Sequence, residues 1–228
     1  MNTLDSLKTY SQIVADTADF QILEQFKSID TTTNPTLIQQ ACQQESFKPY
    51  LEKAMQWARK QGGEKKKILQ NASLYLSVII GCQALERIPG KISTEVDAHL
   101  SFHTAHMIQQ ARLLVDLYRK EGIGRERILI KIASTWEGIQ AAALLEKEGI
   151  SCNMTLIFDL YQAMACAQAG ATLISPFVGR ISDWYQKNFP NVDYSGNQDA
   201  GVSSLKSIFY ALKFYQYPTI VMGASFRT

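Results

Sequence analysis

The chain has 228 residues, of which 46% are hydrophobic and 19% charged, and its formal net charge at pH 7 is +2. This composition is ordinary for a globular protein, and the near-balanced charge gives no reason to expect nucleic acid or an anionic membrane as a partner. The N-terminus lacks a basic start followed by an apolar core, and no uninterrupted apolar run approaches the length of a membrane span. We therefore expect a cytoplasmic protein without a membrane partner.

Short apolar runs alternate with helical stretches along the chain, which is the pattern of βα units and a mostly parallel sheet. The runs predict seven strands, near residues 13–16, 29–32, 92–96, 128–132, 153–157, 173–177 and 219–223. No domain boundary is visible between them. The pattern therefore predicts a single domain over residues 1–228, since α/β barrels commonly form one domain at this length.

Two of the predicted helices carry clear end signals. The segment 134–137 (STWE) matches a capping box, and the helix that it opens should end at Gly149. Asp159 and Gln162 open the next helix, which should end at Gly170. These signals fix where the fourth and fifth strands end.

One lysine, Lys131, lies in the middle of the apolar run 128–133, which contains no acidic residue. A strand covered by helices on both faces reads as such a run, and a lysine within it must be paired, reach solvent or take part in chemistry. Burial disfavours a charged ammonium, and the neutral amine is the nucleophile that forms a Schiff base with a carbonyl. The alternative is a misplaced strand, or a lysine that reaches solvent at the strand end.

Polar residues recur at the carboxyl ends of the predicted strands, where the active sites of βα proteins lie. They are Asp16, Thr32, Asn34, Glu95, Asn153, Thr155 and Ser175. Each has a structural alternative: Asn34 before Pro35 fits a helix N-cap, and the others can be hydrogen-bonded core residues. Together they cannot line a packed sheet without forming a polar pocket, so they are candidate site residues.

Two arginines follow consecutive strands. Arg180 comes after the sixth strand and Arg227 after the seventh, so both guanidinium groups could reach one phosphate at a barrel mouth. The alternative is an ordinary surface pair. His99, His103 and His106 could share a helix face, but their polar neighbours favour a solvated surface over a metal site. The sequence therefore predicts neither a metal nor a cofactor.

Seven strings stand in the order and spacing of the transaldolase family: VADTADF, DTTTNPTLI, ISTEVDAHLSF, ILIKIASTWEGI, NMTLIF, LISPFVGRISDWY and IVMGASFR. The chain resembles this family along essentially its whole length. The resemblance implies a (β/α)8 TIM barrel of the class I aldolase type that needs no metal or organic cofactor. The implied reaction belongs to the pentose phosphate pathway and transfers a dihydroxyacetone unit between phosphorylated sugars. The donor would be sedoheptulose 7-phosphate or fructose 6-phosphate, and the acceptor glyceraldehyde 3-phosphate or erythrose 4-phosphate.

The resemblance also implies roles for individual residues. Lys131 would form the Schiff base, Glu95 would move protons through a water positioned by Thr155, and Asp16 would be the acid and base where the carbon chain is cut. The implied substrate-binding residues are Thr32, Asn34, Asn153, Ser175, Phe177, Arg180, Ser225 and Arg227. Of these, Arg180, Ser225 and Arg227 would bind the phosphate, and Phe177 would form a wall of the pocket.

The family's barrel has an eighth strand and further C-terminal helices, so a chain that stops at Thr228 is expected to be C-terminally truncated, with open strand edges. Two alternatives to a transaldolase follow. One is a fructose 6-phosphate aldolase, and the other is a catalytically impaired fragment that binds sugar phosphates or another partner. Because the family often forms homodimers, a second copy of the chain is also a candidate partner.

Overall fold

The computed structural model describes residues 2–227, in which seven β-strands alternate with α-helices. Met1 and Thr228, the two ends of the predicted domain, lie outside these residues. All seven predicted strands are present within a residue or two of their expected bounds. The βα pattern in the sequence therefore located the strands correctly.

The chain divides into two compact units. The first contains the residues up to Glu95 together with Arg112–Ile130, and the second contains Val96–Ala111 together with the chain from Lys131 onward. Two elements pass from one unit to the other, helix α6 and strand β4, whose bounds are given below. The single domain expected over residues 1–228 stays a prediction.

The first unit is built from three parallel strands and the helices that follow them. Its elements are α1 (Thr3–Lys8), β1 (Val14–Asp16), α2 (Phe20–Phe26), β2 (Asp30–Thr32), α3 (Pro35–Ala41), α4 (Lys48–Gln61), α5 (Lys65–Leu85) and β3 (Ile92–Glu95), with the later parts of α6 (Thr104–Lys120) and the start of β4 (Ile128–Ala133). The strands pair in the order β1-β2-β3. The register sets Asp16 beside Thr32, and Thr32 beside Ser93, so polar side chains meet at the carboxyl ends.

Helix α5 supplies much of the apolar core of the first unit. By length and composition it could cross a membrane, although the sequence contains no uninterrupted apolar run of that length. However, 56% of its apolar window is buried inside the protein, as expected for a core helix. Gly81 on this helix lies against the buried Tyr118 of α6, whose hydroxyl is 2.5 Å from Thr94 Oγ1 on β3.

The second unit contains the remaining strands and helices. Its elements are the start of α6, the end of β4, α7 (Trp136–Lys147), β5 (Cys152–Ile157), α8 (Leu160–Gln168), β6 (Leu173–Pro176), α9 (Val178–Asn188), α10 (Ala200–Phe214) and β7 (Ile220–Val221). The strands β5, β6 and β7 pair in parallel in chain order. The end of β4 is held on both sides, because the Val96 N–H donates to the Lys131 carbonyl and the Ser134 N–H donates to the Thr155 carbonyl.

The predicted helix ends are confirmed, with one correction. Helix α7 is capped by Thr135, whose side chain accepts from the Gly138 N–H, so the predicted capping box that starts at Ser134 is wrong by one residue. Ser134 still belongs to the strand ladder, since its backbone N–H donates to the Thr155 carbonyl, and Thr135 is the residue whose side chain reaches the first turn of the helix. Asp159 caps α8 as expected, and Gly149 and Gly170 follow α7 and α8 with φ of 74° and 82°.

The strands, their parallel pairing and their alternation with helices agree with the predicted fold class. Within residues 2–227 the chain carries seven βα-type strands of a (β/α)8 barrel. The unusual feature is in β5, where the pairing with β6 shifts between Thr155 and Ile157. Leu156, between them, has a left-handed backbone with φ of 60°. A leucine seldom adopts that conformation, so this bulge marks a place where the surroundings impose the backbone.

Candidate active site

Lys131 lies in strand β4, all six residues of which are buried. Its own exposure is only 8%, and the strand continues for two residues beyond it. The alternative that the lysine reaches solvent at a strand end is therefore wrong. The Lys131 side chain is therefore largely removed from solvent, in a strand whose other five residues are all apolar.

Strands β5 and β6 bring three of the predicted polar residues together in the second unit. Thr155 pairs with Ser175 in the register, and the Ser175 hydroxyl donates to Asn153 Oδ1 at 2.6 Å. All three residues are at most 2% exposed. Thr155 Oγ1 is buried and has no hydrogen-bond partner among the described residues. A buried hydroxyl in this state is suited to hold a water or a substrate hydroxyl.

Phe177 follows β6 and lies between two side chains. Its ring meets the Phe158 ring edge to face, with centroids 5.8 Å apart, and the Arg180 guanidinium lies over it at 4.9 Å. Phe177 is half-buried, whereas Arg180 and Phe158 are exposed. The predicted pocket wall and one predicted phosphate ligand are thus in direct contact. The cation over the ring fixes the direction of the guanidinium without occupying its hydrogen-bond donors.

The segment after β7 lies against the first turns of α9. A Cβ added to Gly179 would be 2.1 Å from the Ser225 carbonyl oxygen, so only glycine permits this approach. Arg227 Nη1 donates to the Ser225 carbonyl and hydroxyl at 2.9 and 3.1 Å, and Arg227 also pairs with Asp183 of α9. The structure therefore brings the predicted phosphate ligands Ser225 and Arg227 together.

The other predicted residues belong to the first unit. Thr32 donates its hydroxyl to Asp16 Oδ1 at 2.7 Å, so it contacts the predicted acid and base directly. Asn34 caps α3, since its Oδ1 accepts a hydrogen bond from the Leu37 N–H at 3.0 Å. This confirms the N-cap interpretation and means that Oδ1 already has a hydrogen-bond donor. Glu95 is the last residue of β3 and is half-buried.

The histidines do not lie on one helix face, contrary to the sequence-based interpretation. His99 belongs to the 3-10 helix Ala98–Leu100, His103 precedes α6, and only His106 lies within α6. The Asp97 carboxylate caps the short 3-10 helix and bonds the His99 ring at 2.9 Å, so His99 belongs to an element separate from α6. Among residues 2–227 no group of three or more His, Cys, Asp or Glu side chains could hold a metal ion.

Comparison with known proteins adds independent evidence. The model of the family described as Transaldolase/Fructose-6-phosphate aldolase matches residues 13–228. The chain belongs to this family. Transaldolase A of Salmonella typhimurium is 49% identical over 227 residues, which cover 100% of this chain and 72% of that protein. Transaldolase of Bos taurus is 50% identical over 227 residues, covering 99% and 67%, and Transaldolase 1 of Pectobacterium atrosepticum is also 50% identical, covering 100% and 72%.

Membership of the transaldolase family confirms the resemblance drawn from the seven strings. The family match includes every predicted site residue, from Asp16 to Arg227. Three residues near the site were missed: Phe158 and Asp183, which contact Phe177 and Arg227, and Gln162, which bonds to the backbone of Ser134, Leu156 and Phe158. In the sequence Gln162 indicates only a helix start, whereas Asp183 carries a weak signal, since it lies three residues after Arg180 on the same helix.

Proposed function

We propose that the chain is a transaldolase that transfers a dihydroxyacetone unit from a ketose phosphate to an aldose phosphate. The donors are sedoheptulose 7-phosphate or fructose 6-phosphate, and the acceptors glyceraldehyde 3-phosphate or erythrose 4-phosphate. The observation that carries the proposal is the burial of Lys131 in β4, on the neighbour strand of a buried Thr155 hydroxyl that lacks a partner. Membership of the transaldolase family supports the same reaction.

The proposed first step is the formation of a Schiff base. The Lys131 amine adds to the ketone carbon of the donor sugar, the carbonyl oxygen leaves as water, and a protonated C=N bond results. Asp16 then removes the proton from the hydroxyl on the carbon β to the C=N carbon, and that carbon becomes the aldehyde of the leaving sugar as the carbon–carbon bond breaks. The bonding electrons pass into the C=N system, the aldose phosphate leaves, and a dihydroxyacetone enamine remains on Lys131.

The second half of the reaction reverses these steps with a new acceptor. The enamine carbon attacks the aldehyde of the acceptor, whose oxygen takes a proton from Asp16, and water then hydrolyses the Schiff base. Glu95 would move the protons of the addition and hydrolysis steps through a water that Thr155 positions. A buried threonine hydroxyl can donate to that water or accept from it, as this role needs.

The proposed binding roles follow the chemistry of the side chains. Asn34, Asn153 and Ser175 would bind the hydroxyls of the dihydroxyacetone unit, and Thr32 would act through Asp16. Phe177 would form an apolar wall. Arg180, Ser225 and Arg227 would bind the phosphate, since guanidinium groups match phosphate oxygens at two points. No metal or organic cofactor takes part in this scheme. In the cell, the reaction belongs to the non-oxidative pentose phosphate pathway of the cytoplasm.

The experiment is to trap the intermediate. The protein is incubated with fructose 6-phosphate and borohydride, digested, and searched for a peptide that carries the reduced dihydroxyacetone adduct on Lys131. Lys131→Arg should show neither adduct nor turnover, because a guanidinium stays protonated. Lys147→Arg, the same exchange at an exposed residue of α7, is the matched control and should behave as the unchanged chain. An adduct on another lysine would remove Lys131 from the mechanism.

The description of the matching family also covers fructose 6-phosphate aldolases, but the relatives that share about half of their residues with this chain are transaldolases and do not favour that alternative. The two reactions share the Schiff base and differ in the fate of the enamine. A transaldolase needs an aldose phosphate acceptor for turnover, whereas the aldolase releases free dihydroxyacetone. Measuring free dihydroxyacetone and sedoheptulose 7-phosphate, with and without erythrose 4-phosphate as acceptor, distinguishes the aldolase from the transaldolase.

A further inference from the structure

The left-handed Leu156 in β5 is held by one side chain from helix α8, that of Gln162. Gln162 Nε2 donates to the Leu156 carbonyl at 2.9 Å and to the Ser134 carbonyl at 2.8 Å, while Oε1 accepts from the Phe158 N–H at 2.9 Å. We call these three hydrogen bonds the amide bridge. Only one orientation of the amide fits, since the opposite one would set its oxygen against two carbonyls.

The amide bridge joins two strand ends that carry predicted catalytic residues. Ser134 follows Lys131 by three residues, and Leu156 directly follows Thr155. The Ser134 N–H donates to the Thr155 carbonyl at 2.8 Å, so β4 and β5 are paired at that point before the bulge turns the chain away. The bridge therefore fixes the distance between these strand ends where the regular ladder stops.

The bulge also sets the position of the pocket wall. After the shift in register, Ile157 pairs with Pro176, and the Phe177 N–H donates to the Ile157 carbonyl at 2.9 Å. Phe158, whose N–H belongs to the bridge, packs its ring against Phe177. A change in the backbone at Leu156 would consequently move both the Thr155 hydroxyl and the Phe158–Phe177 contact.

An unfavourable backbone conformation persists only where the surroundings impose it, and such positions concentrate at functional sites. We propose that Gln162 is a positioning residue for the transfer reaction. It holds Leu156 left-handed so that the Thr155 hydroxyl keeps its place relative to the end of β4. The inference rests on the proposed function, in which Thr155 positions the water used at Lys131.

The test replaces the bridging amide without changing its size. Gln162→Glu keeps an acceptor for Phe158 but loses both donors and sets a carboxylate against two carbonyls. We expect kcat to fall on the order of tenfold to a hundredfold, as for a small misplacement of reacting groups. KM for the phosphorylated donor should change less than kcat, because Ser225 and Arg227 do not contact the bridge and Arg180 is linked to it only through the Phe177 and Phe158 rings. Gln168→Glu, at an exposed position of α8, is the matched control and should leave kcat unchanged.

A rescue experiment separates positioning from general support of the fold. Glycine adopts positive φ without strain, so Leu156→Gly should reduce the need for the bridge. The loss of kcat in the Gln162→Glu, Leu156→Gly double variant should be smaller than the product of the two single losses. If Gln162→Glu does not fold, Gln162→Asn, which is one methylene shorter but keeps the amide, should show a smaller loss that is again greater in kcat than in KM.

The outcomes distinguish this inference from the proposed function. If the unchanged chain forms the Lys131 adduct and Gln162→Glu keeps its kcat, only the role of Gln162 is overturned. Parallel changes in kcat, KM and melting temperature without rescue by Leu156→Gly would also overturn it, since they indicate structural support alone. If the unchanged chain forms no adduct on Lys131, the proposed function fails, and the positioning role fails with it.

Discussion

Asp183 and Arg227 form a two-point ion pair that joins helix α9 to the segment after β7. Arg227 Nε lies 2.9 Å from Asp183 Oδ2 and 3.1 Å from Oδ1, and Nη2 also donates to Oδ2. The carboxylate raises the pKa of the Arg227 guanidinium. Nη1 donates to Ser225, so each of the three guanidinium nitrogens of Arg227 has a hydrogen-bond acceptor. A predicted phosphate ligand is thus oriented by a residue that the sequence analysis did not select.

The first prediction concerns this orientation. Asp183→Asn should raise KM for phosphorylated sugars about twofold to fivefold, the range expected for an ion pair whose partners are half exposed. The effect should shrink at high salt because exposed pairs are screened. Steady-state kinetics at two ionic strengths provide the measurement. Asp193→Asn, at an exposed loop residue that caps Ser195, should leave KM unchanged. A lower KM in Asp183→Asn would mean that the carboxylate competes with the phosphate.

The second prediction concerns Arg180. Arg180→Ala should reduce kcat/KM for phosphorylated donors about tenfold to a hundredfold, the scale of a charge-assisted hydrogen bond, and leave non-phosphorylated analogues unaffected. Arg180→Lys should recover only part of this loss, because a lysine keeps the charge without the planar fork that lies over Phe177. Equal losses with both classes of substrate would instead indicate that Arg180 supports the Phe177 ring.

The strands and the buried lysine could be predicted because their signals are local. Apolar runs bounded by glycines and capping residues identify buried parallel strands, and a lysine inside such a run stands out from its neighbours. The N-cap at Asn34 could be read in the same way, since proline follows it. The boundary at Ser134 could not, because both Ser134 and Thr135 are good caps. Which of the two caps the helix depends on how far the strand ladder continues, and it continues to Ser134, which pairs with Thr155, a residue distant in sequence.

The missed residues share a different property. Gln162 and Asp183 act through side chains that bond to residues 4 to 44 positions away in the chain, and nothing in their immediate neighbours shows those partners. The left-handed conformation of Leu156 is equally hidden, since leucine is not a residue that favours positive φ. Local patterns therefore predict which strands carry the site, whereas the contacts that orient it required the structure.

The third prediction concerns the contact between Thr32 and Asp16. Thr32→Val removes the hydroxyl that donates to the Asp16 carboxylate at 2.7 Å, from a position that is 5% exposed. We expect kcat to fall about tenfold, as for the loss of a hydrogen bond to a charged group. Thr32→Ser keeps the donor and should retain most of the activity. Thr31→Val, which removes a bond to the Ala15 carbonyl instead, is the matched control. It should lower stability without the same loss of kcat, and equal losses in both valine variants would assign Thr32 a structural role.

The last prediction concerns pH and stability. Tyr118 is fully buried, its hydroxyl is bonded to Thr94, and burial raises the pKa of the phenol well above its usual value near 10. Below pH 10 the phenol is protonated in both the folded and the unfolded chain, so its contribution to stability is constant. Above pH 10 the unfolded chain loses the proton and the folded chain keeps it. The free energy of unfolding should therefore fall as pH rises, by up to about 1.4 kcal/mol per pH unit for this group.

Tyr118→Phe separates the stability due to the hydrogen bond with Thr94 from the pH dependence due to ionisation of the buried phenol. At pH 7 the variant should be less stable by about 1 to 3 kcal/mol, because Thr94 Oγ1 is left buried without its partner. Between pH 10 and 11 its stability should decline less steeply than that of the unchanged chain, since the buried phenol is gone. Some decline should persist, because burial and then the hydrogen bond to Glu121 raise the pKa of Tyr75 in the same direction. Urea unfolding at pH 7, 10 and 11 measures both effects, with the exposed Tyr161→Phe as the control. If Tyr118→Phe declines as steeply as the unchanged chain, the Tyr118 phenol must ionise as readily in the folded chain as in the unfolded one.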